Sequence, residues 1–179
     1  VHRKATFGGM LKNWVIVYIG NFIGSVLIAA LAVYGHTFSL FGNGLAESAV
    51  SIAAGKANLA FGDAFIRGIL CNFLVCIAVW IASGASSAPG KIIGLFFPIM
   101  MFVVSGFEHS VANMYYVPSG LFALNVYGLS ADGLTWGNFL LNNLLPVTLG
   151  NIVGGVCVGL GYTLAFGGKE SKHKEKNKK

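Results

Sequence analysis

The chain has 179 residues, 55% of them hydrophobic and 10% charged, with 12 Lys and Arg against 6 Asp and Glu for a net charge of +6. Soluble domains carry about a quarter of their residues as charges, so this composition excludes an ordinary water-soluble globule and points to lipid as the solvent. The three cysteines, Cys71, Cys76 and Cys157, have no His or carboxylate a helical turn away. That excludes a metal centre of the usual spacing and leaves them as small buried hydrophobes.

Residues 1–10 are polar and basic and lead into an apolar run of full span length, the pattern of a membrane span and not of a cleaved leader. That run, Trp14 to Tyr34, has 21 residues without a charge; Gly68 to Ser87 has 20 and Leu144 to Phe166 has 23. Each meets the roughly 20 apolar residues needed to cross a hydrocarbon core of ~30 Å. Gly20 and Gly24 in the first run, and Gly150, Gly154, Gly155 and Gly159 in the last, have the spacing that lets helix backbones approach closely in lipid. Trp14, Tyr34, Trp80 and Trp136 fall near span ends, as interfacial anchors do. Between the first two runs, Leu45 to Phe61 is a stretch of mostly small and apolar residues that holds Lys56. That lysine reads equally as a surface residue on an interfacial helix or as a lone cation at a pore mouth, concentrating anions. Asn72 and Asn151, polar residues inside runs, are of the kind that donate hydrogen bonds between helices.

The apolar region at 92–127 differs from the other three. Ile92 to Val104 is too short to span, reaching only ~20 Å as helix. Ser105-Gly106 then permits an irregular turn, and a second segment starts near Ser110. At the break sit Glu108 and His109, with no other charge from Ile92 to Ala131. Ionisable residues at membrane depth face cavities and mark ion or proton pathways, and irregular backbone is tolerated there only where protein or water satisfies it. Pro98 and Pro118 could kink a continuous helix, but kinks do not account for the acid–imidazole pair. A discontinuous helix is therefore predicted, in an all-α membrane protein.

Charge placement sets the orientation. Arg3, Lys4 and Lys12 precede the first span, Lys91 lies between the second span and the broken one, and six lysines follow Phe166. Short loops rich in Lys and Arg stay in the cytoplasm, which puts the C-terminus inside and segments 35–64 and 128–143 outside. The organisation expected is a single transmembrane domain over 1–166 and a basic, solvated, disordered cytoplasmic tail over 167–179. The tail lacks the aromatic interleaving of a nucleic-acid surface.

Several segments together resemble the formate/nitrite transporter family. Gly106-Phe-Glu-His-Ser-Val-Ala-Asn-Met114 is similar to its broken-helix signature. Lys12-Asn-Trp14 and Tyr18-Ile-Gly-Asn21 resemble the start of its third span, Ala54-Gly-Lys-Ala57 its basic site, and Gly68-Ile-Leu-Cys-Asn-Phe-Leu-Val75 its fourth span. The resemblance runs from about residue 5 to 166 in order, and within the family the chain looks similar to the bacterial hydrosulfide channel branch. It implies an aquaporin-like helical bundle of six spans in inverted repeats, assembled as a homopentamer with one pore per protomer and no cofactor. It makes His109 the central pore histidine and Phe102 part of the cytoplasmic-side constriction. Lys56 and Asn151 become pore-lining positions, and Glu108, Lys56 and Asn72 a polar relay. It also implies that this chain holds the last four of the six spans, the two N-terminal ones lying outside it.

The function expected is a channel or proton-linked conduit for small monovalent anions of weak acids (hydrosulfide, formate, nitrite) in the bacterial cytoplasmic membrane. Lys56 would draw the anion in and His109 would donate a proton, so that a neutral acid crosses the apolar constriction. The rival readings are a membrane enzyme using Glu108 and His109 as acid and base, which has no nucleophile, metal cluster or cofactor loop beside it, and a non-conducting membrane scaffold subunit.

Overall fold

The computed structural model describes residues 6–176, with side chains from 6 to 165. Its elements are α1 (Phe7–Tyr34), a 3₁₀ turn (Thr37–Ser39), α2 (Gly44–Ala57), α3 (Phe61–Gly84), α4 (Ala88–Val104) and α5 (Ser110–Tyr127), then α6 (Trp136–Asn138), a π-turn (Phe139–Leu144) and α7 (Leu145–Lys176). Among the described residues, three stretches are long and apolar enough to cross a bilayer: Phe7–Tyr34, Phe61–Gly84 and Trp136–Ala165. They contain most of the three apolar runs but start earlier. α1 begins after Thr6, whose hydroxyl accepts the Gly9 N–H at 3.2 Å, an N-cap the apolar pattern does not register. α3 takes in Asp63 and Arg67, charges that end an uncharged run without ending a helix. The backbone of α7 stays helical to Lys176. Beyond Gly168 the sequence is rich in Lys and Glu, good helix formers, and lacks Gly and Pro. The end of the tail, 177–179, lies outside the described residues.

The helices pack as two groups. α1 and α2 lie against α5, while α4 and α7 lie against α3; α5 and α7 meet only narrowly, with the π-turn wedged among α2, α3 and α5. The apolar core belongs mainly to the first group, where Val33, Val50, Met114, Val117, Leu121 and Phe139 are buried together. Small residues set the closest approaches. A Cβ on Gly150 or Gly154 of α7 would run into the backbone carbonyls of Phe65 or Ile69 on α3, so the glycine spacing of the last span is used inside the chain. The corresponding Gly20 and Gly24 of α1 face open space.

The discontinuity predicted within 92–127 is present. α4 ends in a Schellman motif: Gly106 takes the left-handed conformation at φ 67, its N–H donates to Val103 O, and Phe107 N–H donates to Phe102 O. α5 restarts at Ser110, and the residues between are neither helix. Pro118 sits inside α5 without ending it.

Candidate functional site

The site lies at the seam between the two helix groups, where the break delivers Glu108 and His109. Glu108 is 3% exposed. Its Oε1 accepts from Lys56 Nζ at 2.8 Å, and its Oε2 accepts from Asn113 Nδ2 at 2.6 Å and from Asn143 Nδ2 at 3.1 Å. Three donors, one of them charged, suit an ionised carboxylate. The Lys56 ammonium also lies over the Tyr116 ring, 5.8 Å from its centroid, a cation–π contact. Lys56 is therefore neither a surface lysine nor a lone cation. α2 turns its last helical turn toward the break, and the ammonium is consumed in an ion pair whose net charge is zero.

His109 is the N-cap of α5. Its Nδ1 accepts the Ala112 N–H at 3.3 Å, which assigns the proton of the neutral imidazole to Nε2. The Phe102 ring stacks beside it, with centroids 6.0 Å apart and planes 26° apart. The Schellman turn brings this about by folding the last turn of α4 back toward the first turn of α5. The imidazole thus meets an apolar ring on one side and a helix N-terminus on the other.

Asn151 holds the break in place. Its Nδ2 donates to Gly68 O at 2.9 Å and to Glu108 O at 3.0 Å, while its Oδ1 accepts the Ser110 N–H at 3.0 Å. One side chain so ties α3, the break and the start of α5 to α7, with both its donors committed to backbone. Asn72 donates to Asn151 O at 2.5 Å, an interhelical bond between α3 and α7. The structure does not place its carboxamide on Glu108; it reaches the cluster only through Asn151.

Two residues to which the sequence assigns no role complete the cluster. Asn113 and Asn143 are fully buried, and Asn113 Nδ2 also donates to Asn143 Oδ1 at 2.8 Å. Asn143 Nδ2 reaches the Lys56 backbone carbonyl at 3.1 Å as well. The signal for Asn113 is a polar residue one turn into the apolar half-helix that follows Glu108. For Asn143 the signal is Pro146, which cannot donate a helical N–H; the turn before it widens, with Leu145 N–H bonding back to Leu140 O. Such π-turns are rare and concentrate at functional sites.

A polar pair at a helix break, a capping imidazole and an apolar ring form an arrangement for which comparison with known proteins is decisive. The family model described as formate/nitrite transporter matches residues 1–164. The chain belongs to the formate/nitrite transporter family. It is 42% identical over 175 residues to uncharacterized transporter YrhG of Bacillus subtilis (strain 168), covering 97% of this chain and 62% of that protein. It is 39% identical over 174 residues to formate channel FocA of Haemophilus influenzae, covering 89% and 61%. A solved structure described as a pentameric formate channel with formate bound matches with a TM-score of 0.82 at 38% identity, over 92% of this chain and 69% of that one. The chain spans about three fifths of the length of the curated relatives it matches. The formate/nitrite transporter family is one of transporters and channels, which removes the reading of Glu108 and His109 as the acid and base of an enzyme.

Proposed function

We propose that this protein forms a conduit for small monovalent anions of weak acids across the membrane, with His109 as its proton-handling group. The observation that carries the proposal is the imidazole itself: its Nδ1 is committed to the α5 cap, so it offers Nε2–H beside the apolar ring of Phe102. Taking a small anion into low dielectric has an idealised cost of order 20 kcal/mol. Proton transfer requires the imidazolium: when Nδ1 takes up a proton in place of the Ala112 N–H, Nε2 can pass its own proton to the anion, leaving a neutral imidazole and a neutral acid before the constriction at Phe102. The Nε2–H of the neutral imidazole gives only a hydrogen bond, which lowers the barrier by less.

Lys56 enters this scheme differently from a free cation. Paired with Glu108 at 2.8 Å, it acts on an approaching anion as one end of a dipole, whose field falls off faster than that of a single charge. We assign Lys56, Glu108 and Asn72 to a polar relay beside the histidine, and Asn151 to the pore wall as the residue that holds the break open. The relatives' names support formate as one substrate; hydrosulfide and nitrite share its small size and single charge. The rest of the pore wall is proposed to come from the part of the family's length that this chain does not span. The assembly proposed is a homopentamer in the bacterial cytoplasmic membrane, with the C-terminus inside.

The test is anion flux into proteoliposomes by the protein at its natural length. Flux of formate and hydrosulfide is expected to rise as external pH falls, and His109→Ala is expected to flatten that dependence. A His109→Ala profile that overlays the parent would remove the proton-donor role. Absence of flux in the parent would leave the scaffold reading.

A further inference from the structure

We propose that Asn143 is a positioning residue that keeps Glu108 ionised, by locking the orientation of Asn113; this rests on the conduit reading for its consequence but not for its test. Asn143 is fully buried, on the π-turn that contacts α2, α3 and α5. Both sides of its carboxamide are committed. Nδ2 donates to Glu108 Oε2 and to Lys56 O, and Oδ1 accepts from Asn113 Nδ2. Turning this carboxamide over would set Oδ1 against a carboxylate and a carbonyl and leave Asn113 Nδ2 without that acceptor. Its orientation is therefore fixed by three neighbouring atoms.

The consequence falls on Asn113. Asn113 Oδ1 is buried with no hydrogen-bond partner among the described residues, which is unusual for a buried amide oxygen. It is the acceptor that a protonated Glu108 would need. Glu108 meets only donors: Lys56 at Oε1, Asn113 and Asn143 at Oε2. A neutral carboxyl there would have to place its O–H against an N–H. Only a turned-over Asn113 could accept that proton, and Asn143 Oδ1 holds Asn113 in the opposite orientation. The other ionisable or charged groups around the cluster are Tyr116 of α5, under the Lys56 ammonium, and Cys71 of α3, buried within electrostatic reach of both members of the pair. Arg67 of α3 contributes its backbone carbonyl, which accepts the Glu108 N–H. None of these offers a second acceptor to Oε2. With Glu108 held as a permanent anion, the Lys56–Glu108 pair keeps constant charge, and His109 alone changes protonation as an acid passes.

Infrared spectroscopy of the protein at its natural length, at neutral pH, reads this directly through the protonated-carboxyl stretch. In the parent, Glu108→Gln is expected to remove no such band. Asn143→Leu, close in size but without polar atoms, frees Asn113 to turn over. Asn143→Asp sets a second carboxyl beside Oε2, and two carboxyls at that distance share a proton. Each variant is expected to gain one protonated-carboxyl band. The band of Asn143→Leu should vanish when Glu108→Gln is added, and flux should acquire a second pH transition absent from the parent. Variants that keep parent helicity and gain no band would overturn the proposal, since a purely structural asparagine lowers thermal stability and leaves Glu108 ionised. If neither variant folds, the parent still tests the premise: a carboxyl band lost on Glu108→Gln alone overturns the proposal, and its absence upholds the ionised Glu108 on which it rests. Flux missing from the parent would sink the conduit reading and leave these bands untouched.

Discussion

The two halves of the broken helix have opposite surroundings. α5 buries nine residues, from Ser110 to Ala123, between α1 and α2, whereas α4 buries none and leans on α3. Phe96, Phe97 and Val104 of α4 are 56%, 58% and 80% exposed. Both halves are apolar enough for lipid, so hydropathy does not separate them. The difference lies in what each must hold still. α5 carries the capping imidazole and Asn113 and is clamped on two sides; α4 carries Phe102 and is fixed along one edge, the other left to lipid or to a protein neighbour.

Four substitutions, compared by thermal or denaturant unfolding in one detergent, would break or sharpen that contrast. The largest effect is expected at the α5 end. Lys56→Met leaves the Glu108 carboxylate buried without its cation, a loss of about 3–5 kcal/mol, and adding Glu108→Gln should recover part of it. A double variant no more stable than Lys56→Met would mean that the pair contributes little. Next comes Gly120→Ala on α5, where a Cβ meets the Ala53 methyl and the Ala49 carbonyl; overpacking of this kind costs about 1–3 kcal/mol. The matching change on α4, Gly94→Ala, is closest to the Ile81 side chain at 2.7 Å and meets backbone only at ordinary contact distance, Ala82 N at 3.6 Å, so its loss should be smaller. Equal losses would show that α4 is as tightly held as α5. The smallest effect is expected for Val104→Ala, within about 0.5 kcal/mol of the parent, as for other exposed sites. A loss well above that would show that protein, and not lipid, covers the outer face of α4.

Much of this arrangement is legible in the sequence. Three uncharged runs and a fourth interrupted at Ser105-Gly106 are enough to predict the helices, because in lipid the backbone must bond internally wherever the chain is apolar. Glu108 and His109 stand out because an ionisable pair in such a run needs a reason. The depth of α2 is not legible. Its small residues let it pack closely against α5 at Gly120, but they make its hydropathy look like that of a surface segment, and Lys56 seems exposed until its partner is known. Asn143 is hidden for a geometric reason. The π-turn inserts one residue, which rotates the following face by about 100°, so a 3.6-residue period drawn back from α7 points Asn143 elsewhere. Asn151, by contrast, reads as an interhelical donor and is one, though its bonds go to backbone at the break and not to another side chain.

Away from the break, Tyr18 of α1 and Thr148 of α7 share a hydrogen bond of 2.7 Å across the seam. The Thr148 hydroxyl proton is already given to Leu144 O at 2.6 Å, so the shared proton must belong to Tyr18. The bond has a direction, from phenol to threonine to a main-chain carbonyl, and a carbonyl has no proton to pass on. This crossing between the helix groups is thus a latch that cannot conduct: a proton arriving at Tyr18 has no onward step. In a protein whose proposed task is to move a proton with an acid at one histidine, a proton-tight crossing at the seam keeps that traffic off this second route.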